Sequence, residues 1–209
     1  MEADLRAIAR SYFEDAAPAH DWQHVRRVHQ LATRLAQDRA DVDETILRYA
    51  VWFHDIGRQR EDDGLIDDHA EWGAAEAATI LESAGVDPET IDAVGHCIRA
   101  HRYSNDVEPE SPEATVLCDA DNLDALGAVG IARVFSHGGT NGFPMHDPDR
   151  PLAADETPGG ATSVNHITKK ILTLRERMYT DAGRAIAAER HEFVETFLER
   201  FEQERSGDA

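Results

Sequence analysis

The stretch DWQHVRRVHQLATRLAQDRA, residues 21–40, decides the fold. Val25, Val28, Leu31, Ala32 and Leu35 recur at spacings of three and four, which lays one apolar stripe along a helix. The same rhythm extends in both directions. Toward the N-terminus, Ile8, Tyr12 and Phe13 mark a short first helix. Toward the C-terminus, Asp43 opens DETILRYAVWFHD (43–55), with Ile46, Leu47, Ala50, Val51 and Phe53 apolar, and Gly57 reads as its C-cap. REDDGLIDD (60–68) is polar and reads as a loop. AEWGAAEAATILESAG (70–85) is Ala-rich and ends at Gly85, and Asp87-Pro88-Glu89 starts a helix that runs into TIDAVGHCIRAH (90–101). Residues 108–139 form a further helical stretch with a glycine hinge at Gly127. There are no repeats, and no segment reads as a strand. The expectation is an all-α, compact helical bundle.

Residues 138–163, GGTNGFPMHDPDRPLAADETPGGATS, break the rhythm. A loop of this length inside a compact domain is usually functional or disordered. Its glycines, with His137, His146 and Asp147, suggest a lid that closes on substrate. Thr162 or Ser163 is placed to cap the next helix, VNHITKKILTLRERM (164–178), and a charged last helix follows near 181–205. The loop is the one candidate domain boundary. The helix after it is apolar enough to pack back, so a single domain over 1–209 is expected.

The 209 residues carry 41 acids against 21 basic groups, a net charge of −20. Such a sheath opposes nucleic-acid polymers and anionic membranes. No run approaches a membrane span, and the acidic N-terminus lacks a signal core, so a cytoplasmic protein is expected. Lys169 and Lys170 are the only lysines. An acidic, lysine-poor surface is like that of proteins from salt-loving organisms, where salt screens self-repulsion. Cys97 and Cys118 lack CxxC spacing and read as two small buried residues rather than a disulfide or thiolate metal site.

Three places carry chemistry. In WFHDIG (52–57) an apolar run stops at His54 beside Asp55, both of types that bind first-row metals. His24 lies at the edge of the stripe fixed by Val25 and Val28 and faces inward. DADNLDALG (119–127) sets Asp121 and Asp124 one turn apart among apolar residues, where a carboxylate is costly unless paired or ligated. Each alone has an ordinary explanation: a polar helix end, a hydrogen-bonded core histidine, an N-cap.

Together they form the order H…HD…D, which resembles the HD-domain superfamily of metal-dependent phosphohydrolases. The resemblance runs from about His20 to about Phe201 and reaches the small bacterial and archaeal subgroup of the YedJ/YpgQ type, on HDWQHVRRV, WFHDIG, DADNLDALGAVGIARVF and NHITKKILTLRERM in order. It implies an HD-type fold and metal ligation by His24, His54, Asp55 and Asp121. The cofactor it implies is one divalent ion among Mn, Mg, Fe, Co and Ni. The activity it implies is hydrolysis of a phosphorylated small molecule, a nucleotide, in its sharpest form as a nucleoside triphosphate pyrophosphohydrolase. His69, with His96 or His101, matches the extra histidines that hold a second metal in some relatives. The favoured alternative has these histidines, with Asp124, acting on phosphate or protons around one metal. Arg27, Arg58, Arg133 and Lys170 are candidate phosphate contacts, because guanidinium and ammonium groups bind phosphate oxygens. Two departures stand out: Asn122 replaces a usual basic residue, and Arg58 lies where relatives carry an acid. The competing functions are a di-iron oxygenase of the HD type and a nucleotide-sensing regulatory module.

Overall fold

A computed structural model describes residues 2–102 and 107–207. Its regular elements are helices: α1 (Glu2–Ser11), α2 (Trp22–Ala36), α3 (Glu44–Phe53), α4 (Arg58–Asp62), α5 (His69–Ser83), α6 (Pro88–His101), α7 (Pro112–Asp124), α8 (Ala128–Thr140), α9 (Ser163–His166) and α10 (Asp181–Ser206). Between α9 and α10 the coil changes pitch, through a π-turn (Ile167–Ile171) and a 3-10 segment (Leu172–Arg177). No strand is found among the described residues, so the fold is all-α as expected.

The chain divides into two compact units, Met1–Asp121 and Asn122–Ala209. The division falls within α7, not in the 138–163 loop where the sequence offered a boundary.

Aspartates start many of these helices. Asp21, Asp43 and Asp68 each accept from two backbone N–H groups of the first turn, and Asp87 accepts from Thr90. An N-cap of this kind contributes about 1 kcal/mol. Part of the acid content is therefore structural rather than a surface sheath.

In the first unit, α5 packs on α6, and α3 packs on both α2 and α6. The α5 face is small: Ala70, Ala74 and Ala77 are buried beside Gly73, which faces Ile56, Ile98 and the Phe53 carbonyl. Val25, Val28, Ala50, Leu81, Val94, Leu117 and Leu123 are also fully buried. Cys97 and Cys118 are free and buried, and burial pushes the Cys97 thiol up to about 12. In α1 the buried residues are Leu5 and Ala9, whereas Ile8 faces outward.

Gly57 corrects the sequence reading. It is not a left-handed C-cap: its φ is −89° and it stands before α4, a short helix that overlaps the start of the segment read as a loop. Its lack of a side chain is needed for another reason. A Cβ there would lie 2.6 Å from the His69 carbonyl oxygen, so only glycine lets the turn after α3 press onto the start of α5.

In the second unit Gly127 has φ +86° and breaks the chain between α7 and α8, as the hinge reading expected. α8 runs on to Thr140, so the connecting segment is 141–162. That segment is tied down by hydrogen bonds. Ser163 and Val164 donate from their backbone to Pro144 and Met145, and Asn165 Nδ2 reaches Asp155 Oδ2 at 2.7 Å. Thr162, not Ser163, caps α9. Phe135 of α8 lies against Phe197 and Phe201 of α10.

Candidate metal centre

Five helices of the first unit deliver polar side chains to one point. Asp21 caps α2 and fixes its first turn, so that His24 faces inward beside Val25 and Val28 and is fully buried. α3 ends at Phe53, and the tight turn after it carries His54 and Asp55, both buried, with Arg58 N closing onto Asp55 O at 3.0 Å. His69 is the first residue of α5 and His101 the last of α6. Asp121 comes from α7.

On one side of the cluster, His24 Nε2 lies 3.2 Å from His54 Nε2 and 3.4 Å from Asp121 Oδ1. Asp55 Oδ2 is 3.5 Å from His24 Nε2, 3.7 Å from His54 Nε2 and 3.3 Å from His20 Nδ1. On the other side, Asp55 Oδ1 lies 3.4 Å from both His69 Nε2 and His101 Nε2. The two oxygens of Asp55 thus face two different sets of imidazoles.

The tautomers follow from the outer contacts. His54 Nδ1 lies 2.8 Å from the Val51 carbonyl, which only accepts, so Nδ1 carries the proton and Nε2 offers a lone pair. His101 Nδ1 does the same with Ile98 O, and His69 Nδ1 donates to Glu61 Oε2 at 2.7 Å. Arg102 clamps that carboxylate from the far side, at 2.7 Å to Glu61 Oε1, and also reaches Asp68 at 2.8 Å. A carboxylate behind an imidazole is a common way to orient a metal ligand.

Burial pushes the His54 imidazole down to about 4, against the pull of Asp55, and burial likewise lowers His69. Burial also opposes ionisation of Asp55, but His54 and hydrogen bonds from His101, His20 and His24 hold its carboxyl well below the usual range. Burial disfavours charge on His101 too, yet Asp55 raises it above its ordinary value.

The atoms fit a metal ion. His24, His54 and Asp121 offer ligand atoms within 4.8 Å of one another, as do His20, His24 and Asp55, and His54, Asp55 and His101. Bonds of about 2.0–2.2 Å place neighbouring ligand atoms roughly 3 Å apart, close to the contacts observed. Mixed imidazole and carboxylate donors suit several first-row ions. The side chains of His20 and Asp121 are 25% and 27% exposed, against none for His24 and His54, so the cluster opens between those two residues.

Of the residues read from the sequence, His24, His54, Asp55, Asp121, His69 and His101 meet at this cluster. His96 does not: its Nε2 accepts from the Glu110 backbone at 3.0 Å, on another face of α6. Asp124 belongs to the second unit and pairs there with Arg133 at 2.8 Å. Arg58 pairs within α4, at 3.4 Å to Glu61 and 3.0 Å to Asp62. Arg27 is half-buried on α2, and Lys170 lies in the π-turn of the second unit, where the neighbouring Lys169 holds Asp155 and Thr157. His20, Glu61 and Arg102 were not singled out. His20 stands just before the Asp21 cap, and that position was the only available signal.

Residues 21–126 match the family described as HD domain. The chain is 31% identical over 207 residues to the uncharacterised protein YpgQ of Bacillus subtilis, covering 97% of this chain and 93% of YpgQ. An HD-superfamily hydrolase from Bacillus thuringiensis superposes with a TM-score of 0.75 at 32% identity, covering 98% of this chain and 96% of that one. B. subtilis YpgQ, solved in complex with ADP, gives 0.74 at 27% identity, covering 98% and 97%. No helix among the described residues is long and apolar enough to cross a membrane. With its H…HD…D residues gathered at one point, the chain belongs to the HD domain family, the domain of metal-dependent phosphohydrolases.

Proposed function

We propose that this protein hydrolyses a nucleotide, with a nucleoside triphosphate cleaved to release pyrophosphate as the sharpest form, at a divalent metal held by His24, His54, Asp55 and Asp121. The observation that carries the reading is the convergence of these four side chains, with the His54 lone pair fixed inward by Val51. Mn, Mg, Fe, Co and Ni are all compatible with the donors. When bound, such an ion supplies an activated water and neutralises charge on a phosphoryl oxygen. The chain's own part is orientation and proton handling. His24 and His54, fully buried, fix the donor directions. His20 sits at the open edge 3.3 Å from Asp55 Oδ2, placed to take or give a proton at Nδ1. The ADP bound to YpgQ supports a nucleotide as ligand. Arg27, Arg58, Arg133 and Lys170 remain proposed phosphate contacts, a single domain over 1–209 remains the proposed working body, and the 141–162 segment its proposed lid.

The test is a phosphate- and pyrophosphate-release screen of nucleoside mono-, di- and triphosphates with each metal, at low and molar salt. Metal-dependent release that is absent in Asp121→Asn supports the reading. A folded, metal-loaded protein silent across the panel sinks it.

One observation favours a second reading. Asp55 Oδ1 faces His69 and His101 at 3.4 Å while Oδ2 faces the first set, the arrangement of a carboxylate bridging two ions. Two metals per chain, falling to one in His101→Ala, would establish a dinuclear centre. Oxygen consumption with iron would then favour the oxygenase over the hydrolase. The intact ligand cluster counts against a purely sensing module.

A further inference from the structure

The first unit has a second concave surface that shares no residue with the metal cluster. A groove of about 850 Å³ runs along α2 and α3, lined by residues that include Arg34, Arg39, Leu47, Arg48 and Val51. A smaller one of about 360 Å³ adjoins it, with Arg6, Arg26, Trp22, Val25 and Trp52 in its wall. His29, Gln30 and Arg48 line both, so the two form one continuous trough. Volumes of this order suit a small organic ligand.

The trough inverts the charge of the chain. Five arginines line it against two acids, Asp38 and Glu44, in a protein of net charge −20. Arg39 is answered by Asp41 at 2.7 Å, and one Arg48 nitrogen by Glu2 at 2.7 Å. Arg26 reaches only the neutral Gln23. Arg6 and Arg34 meet no carboxylate within ion-pair distance among the described residues. At the seam of the two hollows, Arg48 Nε is buried and has no hydrogen-bond partner, a donor the fold does not satisfy. Burial lowers the His29 imidazole, and the nearby Arg48 and Arg6 lower it further.

We propose that this trough between α1, α2 and α3 is a second ligand site, which takes a phosphorylated small molecule with its phosphates on Arg48, Arg34 and Arg6. An acidic protein that gathers five arginines in a concave surface, two of them paired with a carboxylate, recognises an anion there, and planar guanidinium forks fit phosphate oxygens. The site stands apart from the metal centre and needs no metal.

The test is calorimetric titration of ADP into the full chain in EDTA at about 0.15 M salt, which keeps divalent ions off the His–Asp cluster. The expected result is saturable binding that weakens at least about tenfold in Arg48→Gln and in Arg34→Gln, and is unchanged in Asp121→Asn. The Arg34 side chain is exposed, so a loss of binding in Arg34→Gln at an unchanged melting temperature is not an unfolding effect. Absence of saturable binding in EDTA overturns the proposal. So does loss in Asp121→Asn with both arginine variants unchanged, or loss confined to Arg48→Gln with a lowered melting temperature.

Discussion

Asp55 and Asp155 are both carboxylates held well below the usual range, and they reach that state in opposite ways. Asp155, in the second unit, is surrounded by donors that carry hydrogens. Thr157 N and Oγ1 lie 3.0 and 2.5 Å from Oδ1, and Ala161 N and Asn165 Nδ2 lie 2.7 Å from Oδ2. Lys169 adds a full charge at 3.3 Å. Nothing is left for a ligand to complete. Asp55, in the first unit, faces only imidazole nitrogens, at 3.3–3.7 Å, and several offer lone pairs because their other nitrogen already donates elsewhere. Lone pairs aimed at a carboxylate repel unless a cation or proton stands between them. Contact length and the whereabouts of protons separate a structural knot from a ligand set, where a depressed pKa alone does not.

The sharpest break of this contrast is Asp55→Asn. The amide keeps the shape but removes the charge shared by both imidazole sets. Bound metal, measured by elemental analysis, should fall to background, and metal-dependent phosphate release should drop by more than about a hundredfold. Retained metal would show that Asp55 is not the shared ligand. Glu61→Gln comes next in size. Glu61 fixes His69 through Nδ1 and is itself held by Arg102, so neutralising it should weaken metal affinity by about 10–100-fold in a competition titration. The His24 and His54 side should feel it little, so a dinuclear centre would lose one ion before the other. Gly57→Ala is smaller. The added methyl meets the His69 carbonyl oxygen at 2.6 Å, and moving α5 away from the turn costs about 1–3 kcal/mol, read as a lowered melting temperature. Unchanged stability would mean that α5 gives way easily and that the approach of His69 to Asp55 is not held by this contact.

The positions of His24, His54, Asp55 and Asp121 were legible because each interrupts an apolar stripe, and an interruption at a core position demands a reason. The all-α fold was legible from the same stripes. His20 was not, because it precedes the cap of α2 and belongs to no periodic face. Glu61 and Arg102 were not, because their partners are distant in sequence, and α4 hid in a run too polar and short to show a period. His96 and His101 looked equivalent on paper. Five residues apart in α6, they lie on different faces, and only His101, at the helix end, turns toward Asp55. The order within 141–162 was illegible for a different reason. Asp155 works largely through backbone N–H groups, which every sequence supplies and none advertises.

That makes Asp155→Asn the fine test of the contrast. The exchange turns one acceptor oxygen into an NH₂ that faces donors, and it removes the charge opposite Lys169. The variant should melt lower than the wild type, because the donors around Oδ2 are left unmatched. Its pH dependence has a definite sign. A carboxyl held below its unfolded value of about 3.9 gives its full stability above that pH and loses it as pH falls further. The wild type and Asp155→Asn should therefore differ most at neutral pH, and their melting temperatures should converge as pH falls below about 4. Limited proteolysis should cut within 141–162 faster in the variant, while bound metal per chain stays at the wild-type value, as follows if Asp155 serves the loop and Asp55 holds the proposed ion. If chelation of metal opened the loop as readily as Asp155→Asn does, the two carboxylates would not be independent, and the division of labour between the knot and the ligand set would have to be abandoned.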